Sequence, residues 1–150
     1  MGGDPARYAQ KNAERKADWV FERTGGVVLG ADTVVALSGE VFGKPKDEED
    51  AERMLRALCG KTHSVFTGYC VRTKEERVAS FEETRVTFHA YDEKIVRSYI
   101  QSGAPMDKAG GYGLQDALLK PLVAGVAGDE DNVIGLPVRA IEKAVKKVLY

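Results

Sequence analysis

The stretch VVLGADTVVAL, Val27–Leu37, is a nearly continuous run of β-branched and small residues with one aspartate in its middle. Such a run predicts a strand that is buried on both faces. Asp32 stands inside this run, where an unpaired carboxylate would be strongly unfavourable, so it requires a partner, a metal ion or water. Ser38-Gly39 then predicts a tight turn into a short strand, Glu40 to Phe42, which Gly43-Lys44-Pro45 ends.

The rest of the chain alternates predicted helices with predicted strands. Asp4-Pro5 is a typical helix start, and Gly25-Gly26 is a typical helix end. The further predicted elements are a helix capped by Asp47 and ended by Gly60, long strands over Thr62–Arg72 and Val78–Ala90, a helix from Asp92 to Gly103, a glycine-rich loop over Gly103–Gly113, short segments around Leu118–Val126 and Asn132–Leu136, and a helix from Pro137. This order predicts an α/β domain with a mixed sheet flanked by helices.

The composition is that of a soluble globular chain. Its 150 residues suffice for one domain with a real core, and the 43% of hydrophobic and 30% of charged residues argue against disorder. A formal net charge of -1 offers no basic field to nucleic acid or to an anionic membrane. No apolar run approaches the roughly 18 residues of a membrane span. Cys59 and Cys70 form neither a zinc pattern nor a disulfide scaffold. We therefore expect a cytoplasmic protein that binds neither nucleic acid nor membranes.

Four polar features stand beside glycines or within apolar surroundings. They are Lys16 on the apolar stripe of the first helix, the pair Asp32-Thr33, Lys44 in FGKP, and the stretch MDKAGGYGLQ, Met106–Gln115. Lysines neutralise phosphate charge, and magnesium usually binds through one or two carboxylates together with a substrate's phosphates. The alternative role for the carboxylate is to deprotonate an attacking water. This inventory suits a polyanion and a divalent cation.

Each feature alone has a plainer interpretation. The stripe of the first helix runs through Ala9, Ala13, Val20 and Phe21, and a snorkelling side chain explains Lys16 at its edge. A strand aspartate is most often satisfied by backbone amides or a nearby arginine, and Gly-Lys-Pro is usually a turn. GGYG matches neither a phosphate loop nor a dinucleotide fingerprint. The residues by themselves therefore leave a phosphate-handling site as one interpretation among several.

Several separate motifs resemble, in the same order, the Maf family of nucleoside triphosphate pyrophosphatases, also called septum-formation inhibitor proteins. The motifs are GADTVV, GEVFGKP, AERMLRALCGKTHSVFTG, EETRVTF, PMDKAGGYGLQ and NVIGLPV, and the resemblance runs from about Tyr8 to Val138. It implies an α/β fold with an elongated mixed sheet, related to the inosine triphosphate pyrophosphatases. It also implies a divalent metal cofactor, Mg2+ or Mn2+, and cleavage of a nucleoside triphosphate to the monophosphate and pyrophosphate.

The resemblance implies catalytic roles for individual residues. Asp32 matches the aspartate of the family's G-A-D-T motif, which is the proton acceptor and lies at the metal site. Lys44 matches the lysine of the G-K-P motif, and Lys16 matches the lysine of a K-A helix motif. Both lysines resemble phosphate-facing catalytic residues. Lys108 is expected to bind substrate, and the alternatives that stay open are a pairing with Asp107 or a structural contact.

The resemblance also implies how the base is recognised. Thr33 matches a position linked to substrate choice, and Gln115 matches the glutamine that marks specificity. The stretch DKAGGYGLQ resembles the branch of the family that prefers dTTP and UTP. After Gln115 the family usually continues with a glycine-containing stretch, and here DALLKP replaces it, which alters the expected base pocket. Family members are commonly dimers, which implies a homodimer.

The beginning of the chain departs from the family pattern. Family members begin with a strand and an S-x-S-P-R-R loop whose arginines clamp the triphosphate, and a D-E pair follows whose glutamate helps to hold metal. Here the first serine is Ser38, and no Pro-Arg-Arg occurs. We therefore expect residues 1–150 to form a single Maf-like domain that is truncated at its N-terminus and has an exposed sheet edge. Losing one preorganised charge-stabilising group typically costs an enzyme about 2.7–4 kcal/mol, so a weak or silent nucleotide-binding or interaction module is the alternative.

Overall fold

The predicted strand around Asp32 is β1, Val28–Leu37, and it turns directly into β2, Glu40–Phe42. The structure is a computed structural model that describes residues 4–114, 116–128, 132 and 136–149. Ser38 and Gly39 connect the two strands with φ angles of 50° and 84°, the left-handed pair that a two-residue hairpin turn needs. The predicted hairpin is confirmed, because Leu37 pairs with Glu40 in the antiparallel ladder.

Three further strands lie in the described sheet: β3 (Thr62–Arg72), β4 (Arg77–Phe88) and β5 (Val123–Ala127). Their order across the sheet is β2-β1-β3-β4-β5. The α/β class is confirmed, but every pairing among the described strands is antiparallel, whereas the sequence predicts a mixed sheet. The reason is the position of β1. Strands β2 and β3 run in the same direction, but β1 lies between them, so the helical crossover joins strands that are not neighbours.

Helices flank this sheet and begin at the predicted aspartates. The side chains of Asp4, Asp47 and Asp92 each accept a hydrogen bond from a backbone N–H in the first helical turn. The helices are α1 (Pro5–Thr24), α2 (Glu48–Leu58), α3 (Glu93–Gln101) and α4 (Val138–Leu149). Local capping signals therefore mark where α1, α2 and α3 start.

The main core lies between one face of the sheet and helices α2 and α3. The strands contribute Val35, Val65, Val86 and Phe88, and the helices contribute Leu55, Leu58, Val96 and Tyr99. Tyr69 and Val71 share the face of Val65, since side chains alternate along β3, and they pack against Ile141 and Ala144 of α4. This face of the sheet is therefore covered by α2, α3 and α4.

Helix α1 covers the opposite face with almost no side chain between its backbone and the sheet. A Cβ on Gly30 would stand 2.3 Å from the carbonyl oxygen of Ala13, and a Cβ on Gly68 would stand 2.3 Å from the carbonyl carbon of Ala9. Glycine at both positions lets the helix backbone rest directly on β1 and β3. The buried residues of α1 are Ala6, Ala9, Ala13 and Ala17. The predicted stripe is wrong at Val20, which is 38% exposed, whereas Phe21 packs against the buried cluster that Ala13 and Ala17 form with the sheet.

The remaining predictions concern loops, cysteines and membranes. The predicted glycine-rich loop contains two short 3-10 turns, Ala104–Asp107 and Ala109–Gly111. Of the segment predicted around Asn132–Leu136, residues 133–135 lie outside the described residues. Both cysteines are buried and free. Among the described helices, none combines the length and the apolarity that crossing a bilayer requires.

Candidate active site

A cavity of about 730 Å³ opens where α1, strand β1, the Gly43-Lys44 turn and a loop of residues 104–114 meet. We call residues 104–114 the Lys108 loop. All the site residues that the sequence predicts within the described part of the chain line this cavity; they are Lys16, Asp32, Thr33, Lys44 and Lys108. The fold therefore brings together residues from four separate segments of the chain.

Asp32 at the floor of the cavity has a hydrogen-bond donor on each carboxylate oxygen. Lys16 Nζ lies 2.9 Å from Oδ1, and Asn12 Nδ2 lies 3.1 Å from Oδ2. Lys16 also donates to the Ala31 carbonyl at 3.2 Å. The Asp32 side chain is 20% exposed and that of Lys16 is 57% exposed, so both remain open to a ligand. The strand aspartate is thus paired by a lysine of α1, and not by the arginine or backbone amides of the plainer interpretation.

The close contact of α1 with the sheet places these two donors. Asn12 and Lys16 are four residues apart, so they point from the same side of the helix. Asp32 pairs in register with Gly68, the glycine on which the backbone of α1 rests. Sequence reasoning missed Asn12, although its i, i+4 spacing from Lys16 was the available signal. Tyr8, one turn earlier, lines the cavity as well.

The hydroxyl of Thr33 has a fixed polarity. Its Oγ1 lies 2.8 Å from Thr67 Oγ1, and the Thr67 hydroxyl donates to the Asn132 carbonyl oxygen at 3.0 Å. Because Thr67 has only one hydroxyl hydrogen, Thr33 must donate its own to Thr67. Thr33 therefore presents lone pairs to the cavity and favours a ligand group that donates a hydrogen bond.

Lys44 and Lys108 stand on the side of the cavity formed by loops. The Gly110 amide donates to the Gly43 carbonyl at 3.0 Å, so the turn that carries Lys44 is tied to the Lys108 loop. Lys108 Nζ donates to the Ala104 carbonyl at 2.9 Å and to Asp107 Oδ1 at 3.2 Å. The hydrogen bond and charge of Lys108, together with the charge of Lys44, lower the pKa of Asp107. The pairing of Lys108 with Asp107, left open by the sequence, is thus present on the cavity wall.

The predicted specificity residue Gln115 lies outside the described residues. Its neighbours Leu114 and Asp116 both line the cavity. The structure therefore describes the chain on either side of this position, and the role of Gln115 stays a prediction.

The carboxylates on the cavity suit a cation that is shared with a ligand. They belong to Asp32, Asp107 and Asp116. Within the described residues, no three or more His, Cys, Asp or Glu side chains are grouped to hold a metal ion. Magnesium commonly binds through one or two protein carboxylates and completes its shell with phosphate oxygens and water. The oxygens of Asp32 fit that arrangement, because the carboxylate is a hard ligand, is partly exposed and lies in a cavity that is also lined by lysines.

The chain as a whole matches the sequence model described as "Maf-like protein" over residues 2–148. Since the match spans nearly the entire sequence, this protein belongs to the Maf-like family. The lysines and the aspartate of the cavity come from the motifs on which the family resemblance rests.

Curated relatives carry a consistent description. A protein of Thermococcus gammatolerans named "dTTP/UTP pyrophosphatase" is 44% identical over 141 residues, which cover 94% of this chain and 76% of the relative. A Thermosipho africanus protein of the same name is 44% identical over 138 residues, which cover 92% of this chain and 71% of the relative. Another protein of that name, from Chlorobium luteolum, is 40% identical over 144 residues, which cover 95% of this chain and 75% of the relative.

Proposed function

We propose that this protein is a nucleoside triphosphate pyrophosphatase that hydrolyses dTTP and UTP to the monophosphate and pyrophosphate. The observation that carries the proposal is the Asp32 carboxylate held by Lys16 and Asn12 in a cavity that Lys44 and Lys108 also line. A carboxylate among lysines supplies a base and positive charge for a triphosphate in one place. The names of the relatives supply the substrates.

In this mechanism the chain's own residues position the triphosphate and move one proton. Asp32 takes a proton from water, the water oxygen bonds to the α-phosphorus, and the bond from that phosphorus to the pyrophosphate oxygen breaks. Negative charge collects on the departing pyrophosphate, where Lys16 and Lys44 neutralise it. A divalent cation held by Asp32 and the phosphates would further polarise the phosphoryl oxygens. Lys108 would bind the triphosphate chain from the loop side.

Base recognition would use the acceptor polarity of Thr33. Thymine and uracil carry a hydrogen at N3, whereas N3 of cytosine is an acceptor. The hydrogen of the Thr33 hydroxyl is committed to Thr67, so this hydroxyl can accept a hydrogen bond from N3 of thymine or uracil. It has no hydrogen left to donate to N3 of cytosine. We assign Gln115 to the same base pocket. This division of roles supports a preference for dTTP and UTP.

The proposal also includes a cellular setting and an assembly. Free, buried cysteines suit a reducing compartment, so we place the enzyme in the cytoplasm. We propose a homodimer, which light scattering of the purified chain would test. A monomeric mass at micromolar concentration would exclude the dimer without affecting the reaction.

The direct test of the function is release of pyrophosphate by the purified chain. Candidate substrates are dTTP, UTP, CTP, GTP and 7-methyl-GTP, each with magnesium or manganese and with a chelator as control. We expect turnover of dTTP and UTP that depends on the added metal and disappears in Asp32→Asn. Turnover that survives in Asp32→Asn would remove Asp32 from the mechanism.

One observation favours a second candidate, a nucleotide-binding module without turnover. Among the described residues that line the cavity, the cations are lysines, and Lys16 is already engaged by Asp32. A lysine neutralises phosphate as a point charge and lacks the bidentate geometry of arginine. A rise in Tm with nucleotide and magnesium, but no pyrophosphate release, would select this candidate.

A further inference from the structure

A histidine lies in the main core beneath the cavity and holds one of the cavity's tyrosines. His63 of β3 is 2% exposed, and its Nε2 lies 2.6 Å from the hydroxyl oxygen of Tyr112. The ring of Phe88 meets both rings edge-on, with centroid distances of 5.1 Å and 4.9 Å. Within the described residues His63 Nδ1 is buried and has no hydrogen-bond partner.

This pair is a hydrogen bond between two neutral groups. Burial lowers the pKa of His63 to about 4, so the ring is uncharged near neutral pH. Burial also raises the pKa of Tyr112, so its hydroxyl keeps its hydrogen. An apolar side chain of similar size would avoid leaving Nδ1 unsatisfied in the core. The presence of a histidine is therefore explained by what its other nitrogen holds, which is Tyr112.

Tyr112 belongs to the Lys108 loop and is its buried anchor. The next residue, Gly113, donates its amide to the hydroxyl of Tyr99 at 2.8 Å. The stem of Lys108 crosses Gly113 so closely that a Cβ there would stand 2.8 Å from Lys108 Cε. The path of Lys108 into the cavity therefore depends on where the backbone at residues 112 and 113 is held.

We propose that His63 is a positioning residue of the active site: through its hydrogen bond to Tyr112 it fixes the Lys108 loop so that Lys108 can bind the triphosphate. This inference rests on the proposed pyrophosphatase function. His63 itself does not line the cavity, so its effect passes through Tyr112 and the loop.

The kinetic test compares His63→Leu, His63→Gln and Tyr112→Phe with a core variant that removes neither partner of the hydrogen bonds from His63 to Tyr112 and from Gly113 to Tyr99. Leu58→Ala serves as that control, because Leu58 is fully buried in the same core and does not line the cavity. We expect KM for dTTP to rise by roughly tenfold or more in His63→Leu and Tyr112→Phe, with a smaller change in kcat. His63→Gln keeps an amide that can donate or accept a hydrogen bond near the tyrosine and should restore most of the parent KM. The KM of the double variant His63→Leu/Tyr112→Phe should be no higher than that of either single variant, because each single variant already removes the same hydrogen bond.

Amide hydrogen exchange provides a readout that does not depend on activity. The amides of Gly110 and Gly113 are hydrogen-bonded when the loop is docked. Faster exchange at both amides in His63→Leu and Tyr112→Phe, but not in Leu58→Ala, is the expected result. If His63→Leu and Tyr112→Phe both kept the exchange rates and the KM of the parent, the inference would be overturned. A parent chain without turnover would instead overturn the proposed function, and the exchange data would still decide whether His63 holds the loop.

Discussion

Lys16 of α1 and Asp32 of β1 form an ion pair of 2.9 Å between Nζ and Oδ1, although they are 16 residues apart in the chain. The lysine stabilises the carboxylate on the strand while no phosphate is bound. In the proposed mechanism, an incoming triphosphate competes for the same ammonium group. Lys16 would then turn toward phosphate and release the Asp32 oxygen that accepts the proton of water. In that mechanism the pair would couple substrate binding to the exposure of the base.

Replacing Lys16 tests this coupling. Lys16→Met should lower kcat/KM for dTTP by about 10²–10³, since it removes a cation that is placed for the transition state. Lys11→Met on the same helix is the matched control, because Lys11 is exposed and does not line the cavity. The control should stay within about twofold of the parent. Equal kinetics of the two variants would reduce Lys16 to a structural partner of Asp32.

Lys44 has a matched control two residues further along the chain. Lys44 lines the cavity, whereas Lys46 is exposed and lies outside it. Lys44→Met should lower kcat by about 10² or more, since a charge opposite the leaving pyrophosphate is lost. Lys46→Met should turn over like the parent. Steady-state assays of pyrophosphate release would measure kcat for both variants. A large fall of kcat in Lys46→Met alone would contradict the role proposed for Lys44.

The polarity of Thr33 makes a prediction about base choice. Thr67→Val removes the group that takes up the Thr33 hydrogen, so Thr33 becomes free to donate as well as to accept. The ratio of kcat/KM for UTP over CTP should fall by roughly threefold to tenfold, the value of about one hydrogen bond. Thr62→Val breaks a similar threonine pair, with Thr87, on the exposed part of the same strand. An unchanged ratio in Thr67→Val, or an equal fall in both variants, would contradict the assigned polarity.

The contact between α1 and the sheet predicts a large difference between two glycine substitutions. Gly68→Ala places a Cβ within 2.3 Å of the helix backbone, so it should lower the free energy of unfolding by about 3 kcal/mol. Gly125→Ala in β5 meets nothing within 4 Å and should change stability little. Urea denaturation measures both. Parent-like stability of Gly68→Ala would show that the helix can move away from the sheet.

Burial of His63 predicts a pH dependence of stability with a defined sign. Its pKa is lowered from 6.5 to about 4 in the folded protein, so between these values the unfolded chain binds more protons. Stability therefore falls as the pH drops through this window, and His63 accounts for roughly 3 kcal/mol of that fall. Urea titrations at pH 7 and pH 4.5 would measure it. His63→Gln, which does not titrate, should show a correspondingly shallower dependence, and equal slopes would disprove the assignment.

The local features of the fold could be read from the sequence because their signals are short-range. Helix caps, the two-residue turn at Ser38-Gly39 and the alternation along β4 each depend on residues within one or two turns of chain. The arrangement of the strands could not be read in this way. Among the described strands the sheet is antiparallel and not mixed, since β1 separates β2 from β3, and this pairing is decided by contacts distant in sequence.

The site residues were predicted through motifs, whereas the contacts that support them across the fold were not predicted. The bonds of Asn12 to Asp32, of Thr33 to Thr67 and of His63 to Tyr112 join residues 20, 34 and 49 positions apart. No local pattern reports such separations. Val20 was misplaced for the same reason, since its exposure depends on how α1 lies against strands that are distant in the chain.

The backbone contact of α1 also determines which parts of the site can adjust to substitutions by small shifts of structure. Larger side chains in a core can be exchanged for one another, and small shifts of the packed elements follow. Where alanines of α1 meet Gly30 and Gly68, no side chain is available for such adjustment. The spacing between the backbone of α1, which carries Lys16, and the strand that carries Asp32 is therefore set by this backbone contact and is insulated from repacking elsewhere. An engineer who wants a new substrate preference should leave this helix untouched and vary the loops across the cavity instead.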